Sequence, residues 1–513
     1  MQVYANSNRL SLKTILFFIV VLFIAFLPIS SFLFFLKNDA FTGYFPPKFF
    51  MSESIHAGYL PLWNPYINFG IPAYGDMSCG YWSPFTWLIA AGLGYNAYTF
   101  TLEVLMYILI GGIGMYKLTT LFTGEKSVAL IAGIAFMCCG YNIGHLQHFN
   151  WLSGAAFLPW CFWSYYSLLQ SYSLKNSIRC AVIFYLLISA AHPGITIAAI
   201  YFFVGVFIFQ VIIDKNNNPY VKYYSSLTKG QLLFMVILLL LSAGMIAGYA
   251  DIIPFFVRGE KISIADSLSN PTNIQSWISA ILPFSTVKND AFFDTDPSMR
   301  NVYFSITLLL FFLSGCFGKK TGFQQFLLGA GLLFALLSAG SIFKTFAYKF
   351  MPFIGYVRLN GEFRIFTLLC FIVFAAISLD QFISRKNKFE GAIKRVYYFI
   401  EVIVIAGIIT GLYQSFFNHR SVVFAGGEIL AQNGIALKLK SCIDHVSFSD
   451  TLWIQGFIQL LLLWSIKWCL KNGNFNLLKK IAIADMVLAS LINIPFTGVG
   501  KASVAQVQQL LNK

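Results

Sequence analysis

The sequence predicts an all-α fold in which transmembrane helices form a polytopic bundle. Apolar residues make up 58% of the chain, charged residues only 11%, and the mean hydropathy is +0.71, a composition that excludes an ordinary soluble protein. Apolar runs, many of them near the roughly 20 residues that cross a bilayer, alternate with polar breaks along the chain. Lys and Arg are most dense in every second break, as expected for breaks that stay inside.

The apolar runs predict about 13 spans. The first run is too long for the core of a signal peptide and no small-residue cleavage pattern follows it, so we expect it to be retained as a span. The predicted spans lie near 12–36, 98–121, 128–144, 151–170, 180–191, 195–213, 231–250, 302–317, 322–340, 364–383, 396–417, 451–470 and 481–494. The apolar stretch Pro84–Leu93 is too short to span and predicts a helix at the membrane interface.

The distribution of charge predicts that the N-terminus lies inside. The segments assigned to the inner side are short and basic, and they contain only three acidic residues, Glu125, Asp214 and Glu390. These segments are 1–14, 117–127, 171–179, 214–230, 318–321, 384–395 and 471–480. The net charge of +15 is therefore mostly a topology signal. We find no basic face with interleaved aromatic residues, so no nucleic-acid partner is expected.

With this orientation the long polar loops all lie on the outer side. We predict a transmembrane domain over 1–494 and a short outer tail over 495–513. The outer loops of this domain are 37–97, 251–300, 341–363 and 418–449. No convincing internal repeat of the kind found in symmetric carriers is present. The function is therefore expected at the outer face.

The cysteines give little functional signal. Seven of the nine lie inside apolar runs, where small buried side chains are expected. Only Cys79 and Cys442 lie in predicted outer loops, and their spacing gives little support for a disulfide. No CxxC or Cys/His pattern indicates a metal site.

The segment after the first span carries the most distinctive motifs. Asp39 lies at the foot of a polar and aromatic loop that reads GYLPLWNPYINFGIPAYG over 58–75 and YWSPF over 81–85. Further motifs are His192-Pro193, Pro254 followed by Arg258, YVRLNGEFRIFTLL over 356–369, and ADMVLASLINIPFTGVGKASVAQVQQLL over 484–511. Over most of its length the chain thus resembles the YfhO family of bacterial membrane proteins, which belongs with the class C glycosyltransferases (GT-C fold).

The resemblance implies a GT-C-like transferase in the bacterial cytoplasmic (inner) membrane. Such an enzyme would take a sugar from a polyprenyl-phosphate donor held in the bilayer and pass it to an envelope glycan or lipid acceptor at the outer face. If a cofactor is used, we expect a divalent cation, Mg²⁺ or Mn²⁺. Members of the family often continue into a larger outer domain, so residues 495–513 are either a short tail or the start of such a domain.

Two carboxylates of the first outer loop are the candidate catalytic residues. In the transferase interpretation Asp39 is the general base that deprotonates the acceptor hydroxyl, or a ligand for the cation. Asp76 is a second carboxylate of the same loop and could share either role. The alternative for Asp39 is structural, as a helix N-cap or an interfacial charge. Within the spans, Glu103 could reach the outer cavity, whereas Asp485 is expected to be exposed at the interface.

The last large outer loop supplies candidates for phosphate binding. Arg358 and Arg364 flank Asn360 and Glu362 just before a span, and a guanidinium fork matches the geometry of phosphate. The alternative is that these arginines anchor the bundle at the interface. Weaker candidates for the same role are Arg258 and Lys261.

Three histidines lie at the outer ends of spans. His145 and His148 are three residues apart, which places them on one face if the helix continues, and His192 follows a later span. We predict that they converge on one cavity as substrate-binding residues. The alternative is interfacial hydrogen bonding to the backbone or to lipid headgroups.

The remaining candidates are less specific. Asp294 and Asp296 form a DxD pattern that predicts either a cation site or simply a turn-rich loop. Trp63 and Asn64 of the PLWNP motif are candidate sugar contacts, and neighbouring aromatic residues either stack on sugars or form an interfacial belt. Those neighbours are Tyr66, Tyr81 and Trp82.

Two other functions fit the same pattern of spans and loops. A lipid or polysaccharide transporter or flippase would use the outer cavity to move a substrate without reaction. A non-catalytic envelope assembly protein would tolerate replacement of the outer acids and arginines. Of the three functions, only a sugar transferase requires the carboxylate of Asp39 for its reaction.

Overall fold

The computed structural model describes residues 10–67, 69–77, 79–217, 221–255, 260–385, 389–417 and 421–511. Almost all regular structure in these ranges is helical. The only described strands, Trp63–Asn64 (β1) and Ile71–Pro72 (β2), pair antiparallel with Trp63 opposite Pro72. The predicted all-α helical bundle is therefore confirmed.

The α-helices are numbered along the chain. They are α1 (Leu12–Ala25), α2 (Leu27–Ser30), α3 (Phe45–His56), α4 (Pro84–Gly92), α5 (Ala97–Thr119), α6 (Lys126–Met137), α7 (Gly140–Gly144), α8 (Phe149–Gln170), α9 (Leu174–Ala190), α10 (Pro193–Asn217), α11 (Val221–Ile252), α12 (Ile264–Ser267), α13 (Asp290–Phe293), α14 (Ile306–Cys316), α15 (Gly322–Ser338), α16 (Ser341–Phe350), α17 (Arg364–Ser384), α18 (Ala392–Phe417), α19 (Gly426–Leu430), α20 (Ile435–His445), α21 (Phe448–Asn472), α22 (Phe475–Thr497) and α23 (Val504–Leu511).

Several helices are long and apolar enough to cross a membrane. Among the described residues seven helical segments meet this criterion by length and composition, or eight if α15 and α16, which meet at a bend of 97°, form one broken span. Such helices are typical of a membrane protein. A helix lies at each of the 13 predicted positions, but the predicted number of 13 spans is not confirmed.

The first predicted span is not one continuous helix. The helix α1 ends at Ala25, and Pro28 lies in the first turn of the short α2, where the proline ring is tolerated. Phe32 then adopts a positive φ of 58°, which ends helical structure. The apolar composition of 12–36 predicted a helix there, but it did not reveal this break.

The helices α17 and α6 lie at the centre of the bundle. Every residue of α17 from Arg364 to Asp380 is buried, and the helix packs against α6, α14 and α15. The helices α5 and α6 approach closely at two glycines, because a Cβ on Gly133 would lie 2.7 Å from the carbonyl oxygen of Gly112. Small residues at this crossing thus permit tight packing at the centre of the bundle.

Polar breaks from distant parts of the chain meet at one end of the bundle. The backbone N–H groups of Gly124 and Glu125 donate to the carboxylate of Asp380 at 3.1 and 3.0 Å, and Lys479 lies 3.5 Å from Glu125. All these residues lie at or beside breaks that the sequence assigns to the inner side. Asp380 therefore ties the end of α17 to the start of α6.

At the opposite end, the short helices α3 and α4 cover the bundle. The ammonium of Lys48 in α3 lies 3.1 Å from Glu103 Oε1 in α5 and donates to Thr86 Oγ1 of α4 at 3.0 Å. The Tyr95 hydroxyl donates to the second Glu103 oxygen at 2.9 Å, and the Lys48 ammonium lies 4.0 Å from the centre of the Phe149 ring. Glu103 is thus buried in an ion pair and does not reach an outer cavity, contrary to our expectation.

Asp485 is also buried, which makes the expected interfacial exposure wrong. The helix α22 begins at Phe475, so Asp485 lies well inside it and not at its start. Its carboxylate accepts hydrogen bonds from Tyr303 Oη, from Ser305 Oγ at 2.8 Å and from the backbone N–H of Ile306 at 2.9 Å. The carboxylate therefore fixes the non-helical segment that precedes α14.

Candidate functional site

A short bridge between distant segments positions the loop that follows α2. Leu36 pairs antiparallel with Val499, the N–H of Phe35 donates to the Ala502 carbonyl at 2.8 Å, and the N–H of Gly500 donates back to Phe35 at 2.8 Å. The segment after α22 thus fixes the backbone immediately before Asp39. A local sequence pattern does not reveal this pairing, because the partners are more than 450 residues apart.

Asp39 lies at the surface beside His148, one of the three predicted histidines. Asn38 adopts a positive φ of 49° and donates from Nδ2 to Gln147 Oε1 at 2.7 Å, which joins the loop to the segment before α8. The Asp39 side chain is 61% exposed, and its Oδ2 lies 3.6 Å from His148 Nε2. Asp39 has no side-chain capping bond to the π-helical turn Ala40–Tyr44 that follows it, so the alternative role as a helix cap is not observed.

Three histidines surround one indole ring, and we call His145, His148, Trp151 and His192 the histidine–tryptophan cluster. The ring centroid of Trp151 lies 4.4 Å from that of His145, 4.9 Å from that of His148 and 5.3 Å from that of His192. The Nδ1 atoms of His145 and His148 are 3.0 Å apart. The sequence-predicted histidines are therefore brought together, with Asp39 at the exposed end of the cluster.

Burial controls the charge of the two adjacent histidines. Burial lowers the pKa of His148 to about 4, against an opposite effect of the Asp39 and Asp296 charges. Burial also holds the pKa of His145 well below its usual value, and the positive charge of Arg364 adds to this effect. Both imidazoles are therefore neutral near pH 7, and each can act as a hydrogen-bond donor at only one nitrogen.

His192 and Glu362 connect the cluster to the segment before α17. His192 Nδ1 lies 3.0 Å from Glu362 Oε2, and the Glu362 side chain is fully buried. Gly194 makes this approach possible, because a Cβ at that position would lie 2.0 Å from Glu362 Oε1. Glu362, predicted as a substrate-binding residue, thus contacts the cluster through His192, whereas Asp39 contacts it through His148.

Arg364 does not have the surroundings of an exposed phosphate ligand. Its side chain is fully buried, and the guanidinium donates to the carbonyl oxygens of Asn301 at 3.2 Å, Gly361 at 2.7 Å and Ser298. It also lies 4.8 Å from the centre of the Tyr141 ring. The Arg364 donors thus hold the backbone before α14 and α17, and phosphate binding by the pair Arg358 and Arg364 stays a prediction.

Arg358 has different surroundings from Arg364. Arg358 is exposed, while its backbone carbonyl accepts a hydrogen bond from Ser269 Oγ at 3.2 Å. Lys261 lies over the ring of Tyr348, with 4.0 Å from the ammonium to the ring centre. Asn360 is fully buried, which removes it from direct contact with solvent. Arg258 lies outside the described residues.

Asp76 lies in the same region as Asp39. Burial raises the pKa of the Tyr44 hydroxyl, and the charges of Asp39 and Asp76 both add to this effect, so both carboxylates lie near one tyrosine. The segment after Asp76 is joined to the cluster, because Asn150 Nδ2 donates to the Met77 carbonyl at 2.5 Å. Both candidate carboxylates thus act on Tyr44, and the segment after Asp76 is joined to the start of α8.

A groove of about 920 Å³ lies along the segment that follows Asp39 in the chain. Its wall includes Phe41 and Thr42, which closely follow Asp39 in the chain, and the buried Asn64. Asn64 Oδ1 also accepts a hydrogen bond from the backbone of Tyr66 at 3.0 Å. Trp63 is 56% exposed and is not part of the groove wall. Further lining residues are mostly apolar or aromatic, and they are Phe45, Pro46, Phe49, Phe50, Glu53, Ser54, Ala57, Tyr59, Tyr66, Ile67, Val507, Leu510 and Leu511.

The DxD pattern forms a structured turn. Asp296 Oδ1 accepts hydrogen bonds from the backbone N–H and the hydroxyl of Ser298, at 2.8 and 2.5 Å, whereas Asp294 is exposed with a positive φ of 45°. Among the described residues no group of three or more His, Cys, Asp or Glu side chains is placed to hold a metal ion. A divalent cation at Asp39, Asp294 or Asp296 therefore stays a prediction that no such group supports.

Buried polar atoms without a hydrogen-bond partner gather around the cluster. Within the described part of the chain they include Tyr141 Oη, His145 Nε2, Asn150 Oδ1, Glu362 Oε1 and both polar side-chain atoms of Asn360. Such atoms are rare in folded proteins, because each carries a desolvation cost. Their concentration next to an exposed carboxylate distinguishes this region as the candidate site.

Sequence reasoning missed two members of the site. Trp151 follows His148 at the spacing that separates His145 from His148, and this repeated spacing of three was the available signal. Lys37 precedes Asp39 by two residues and donates from Nζ to the Phe496 carbonyl at 2.9 Å. Burial lowers the pKa of Lys37, while the charges of Asp296 and Asp290 oppose this effect. No pattern within the sequence indicated that Lys37 faces these carboxylates.

Comparison with known proteins identifies no family. No protein-family model matches the chain, and no curated protein matches it significantly.

Proposed function

We propose that the protein is a membrane glycosyltransferase that moves a sugar from a polyprenyl-phosphate donor to an envelope acceptor at the outer face. The observation that carries this proposal is the position of Asp39, an exposed carboxylate beside His148 of the histidine–tryptophan cluster and two residues before the groove residue Phe41. The resemblance to the YfhO family rests on the motif residues alone and is part of the proposal. No step of it is derived through a metal ion.

Asp39 acts as the general base in this mechanism. It takes the proton of an acceptor hydroxyl while the hydroxyl oxygen forms a bond to the anomeric carbon of the donor sugar. The bond from that carbon to the phosphate oxygen breaks, and polyprenyl phosphate leaves. The neutral His148 imidazole 3.6 Å from Asp39 orients the carboxylate without adding charge.

The phosphate of the donor requires a cation at the headgroup level. Arg364 is already engaged by three backbone carbonyls, so we assign this role to Arg358, which is exposed, and to Lys37 beside Asp39. An ammonium has three donors, and a bond to the Phe496 carbonyl uses one of them. The apolar wall of the groove suits the isoprenoid chain, with Glu53 and Asn64 available for sugar hydroxyls.

The membrane orientation is part of the same proposal. We propose a bacterial cytoplasmic membrane protein of about 13 spans with the N-terminus inside and Asp39 at the outer face. Basic inner breaks and acid-containing outer loops support this orientation. Cysteine-labelling from the outside of intact cells at the exposed positions Tyr66 and Lys175, replaced singly by Cys, tests it: only the first should react.

Sugar transfer by the purified protein in liposomes tests the function. Labelled sugars on defined polyprenyl phosphates are offered with membrane acceptors, with and without a chelator. Asp39→Asn should abolish transfer while donor binding survives, and Asp444→Asn, an exposed carboxylate on α20, should leave transfer unchanged. Movement of the donor across the bilayer without transfer, by the wild type and by Asp39→Asn alike, would instead identify a flippase.

A further inference from the structure

The contact between His145 and His148 restricts where their protons lie. Their Nδ1 atoms are 3.0 Å apart, a hydrogen-bond distance. A hydrogen bond between two imidazole nitrogens requires a proton on one of them and a lone pair on the other. Because both rings are neutral near pH 7, one ring is protonated at Nδ1 and the other at Nε2.

The charge of Asp39 determines which tautomer each of the two histidines adopts. Its carboxylate oxygen lies 3.6 Å from His148 Nε2, and an ionised carboxylate can only accept hydrogen bonds. A lone pair on His148 Nε2 would face this negative charge, whereas an N–H there is attracted to it. The His148 proton therefore lies on Nε2, which leaves its Nδ1 as the acceptor from His145.

The buried end of the pair agrees with this assignment. If His145 carries its proton on Nδ1, its Nε2 is a bare lone pair, and this atom is buried without a partner among the described residues. The positive guanidinium of Arg364 acts on the His145 ring, and a lone pair is favoured next to a cation. The reverse assignment would leave an unpaired N–H at this buried atom, in a ring on which the positive charge of Arg364 acts.

We propose that His145 is a positioning residue that holds His148 with its Nε2–H directed at Asp39. The proposal rests on the proposed function, in which Asp39 is the base. The Asp39 oxygen that approaches His148 is Oδ2, at 3.6 Å, so the Nε2–H attracts Oδ2 and the other oxygen, Oδ1, takes the proton of the acceptor hydroxyl. His145 touches neither substrate nor the reacting atoms and acts only through His148.

Nitrogen-15 NMR of histidine-labelled protein in liposomes tests the assignment directly. The chain has only six histidines, so single substitutions assign the signals. We expect His145 to be protonated at Nδ1, the minor form of free neutral histidine, and His148 to be protonated at Nε2. The opposite pair of tautomers, with His148 protonated at Nδ1, overturns the proposal whether or not the protein transfers sugar.

Two matched variants test the effect on transfer. His145→Asn places an amide where Nδ1 lies and should keep the transfer rate within about threefold, whereas His145→Leu has the same size without a donor and should lower kcat by about tenfold with an unchanged KM for the donor. In an Asp39→Asn background, His145→Leu should cause no further loss. Equal activity of His145→Leu and the wild type contradicts the proposal. Correct tautomers in a protein without transfer activity contradict only the proposed function.

Discussion

The Lys48 ammonium lies 3.1 Å from Glu103 Oε1, and both side chains are completely buried between α3 and α5. Removal of one partner leaves an uncompensated charge, which in buried ion pairs costs about 3–5 kcal/mol. We therefore expect Lys48→Met to lower the free energy of unfolding by this order, measured by thermal or denaturant unfolding in detergent. The matched control Lys175→Met changes an exposed lysine on α9 and should have little effect.

The double variant Lys48→Met/Glu103→Gln separates charge from packing. Because the double variant buries no unpaired charge, it should be more stable than Lys48→Met alone. A double variant that loses the sum of both single losses would show that the two residues act independently.

The Asp485 carboxylate holds the start of α14, and its replacement by Asn should be destabilising. Its three hydrogen-bond partners among the described residues, Tyr303 Oη, Ser305 Oγ and the Ile306 N–H, all donate to it, so an amide N–H₂ group would face a donor. We expect a loss of about 1–3 kcal/mol in the free energy of unfolding. Tyr303→Phe removes one donor and leaves two, so its effect should be smaller; the reverse order would refute this account.

The positions of the helices along the chain could be predicted from the sequence because hydropathy is a local property. Each apolar run produced a helix, and the short stretch at 84–93 corresponds to α4. The error at Asp485 arose at a boundary: Lys479 and Lys480 appeared to precede the last span, whereas they lie inside α22. Helix ends were therefore the weak part of the prediction.

The candidate site could be predicted only in part, for a different reason. His145, His148 and His192 were chosen by their positions at span ends, and the structure places them around Trp151. The surroundings of Arg364 depend on carbonyl groups of a loop more than 60 residues away. A carbonyl cage and a phosphate require the same donors, so the residue type alone could not distinguish them.

Arg364 and Arg358 should respond differently to substitution. Arg364→Lys keeps the charge, but an ammonium cannot reproduce the fork that reaches the Ser298, Asn301 and Gly361 carbonyls, so the unfolding midpoint should fall. Arg358→Ala should leave the midpoint unchanged, because the side chain is exposed, and should raise KM for the lipid-linked donor.

The same pair of variants discriminates between the two roles of Arg364. Thermal unfolding and donor kinetics are measured on both proteins in one detergent. An Arg364→Lys protein with the wild-type midpoint and only a weakened affinity for the donor would restore Arg364 as a phosphate ligand.

The buried state of His148 should make stability depend on pH. Burial lowers its pKa to about 4, whereas the unfolded chain titrates near 6.5, so the unfolded state binds a proton that the native state does not between these values. The free energy of unfolding should therefore fall as the pH is lowered from about 6.5 to about 4, by about 3 kcal/mol for this one group.

His148→Gln removes the titrating group while keeping an amide near Nε2, so the variant should lose less stability on acidification. Because burial lowers the pKa of His145 in the same direction, a smaller slope should remain, and unfolding of both proteins at pH 7 and pH 5 measures the difference. If the free energy of unfolding depends on pH equally in the wild type and in His148→Gln, the native state binds a proton at His148 as readily as the unfolded state does. The assignment of a neutral His148 beside Asp39 would then be wrong.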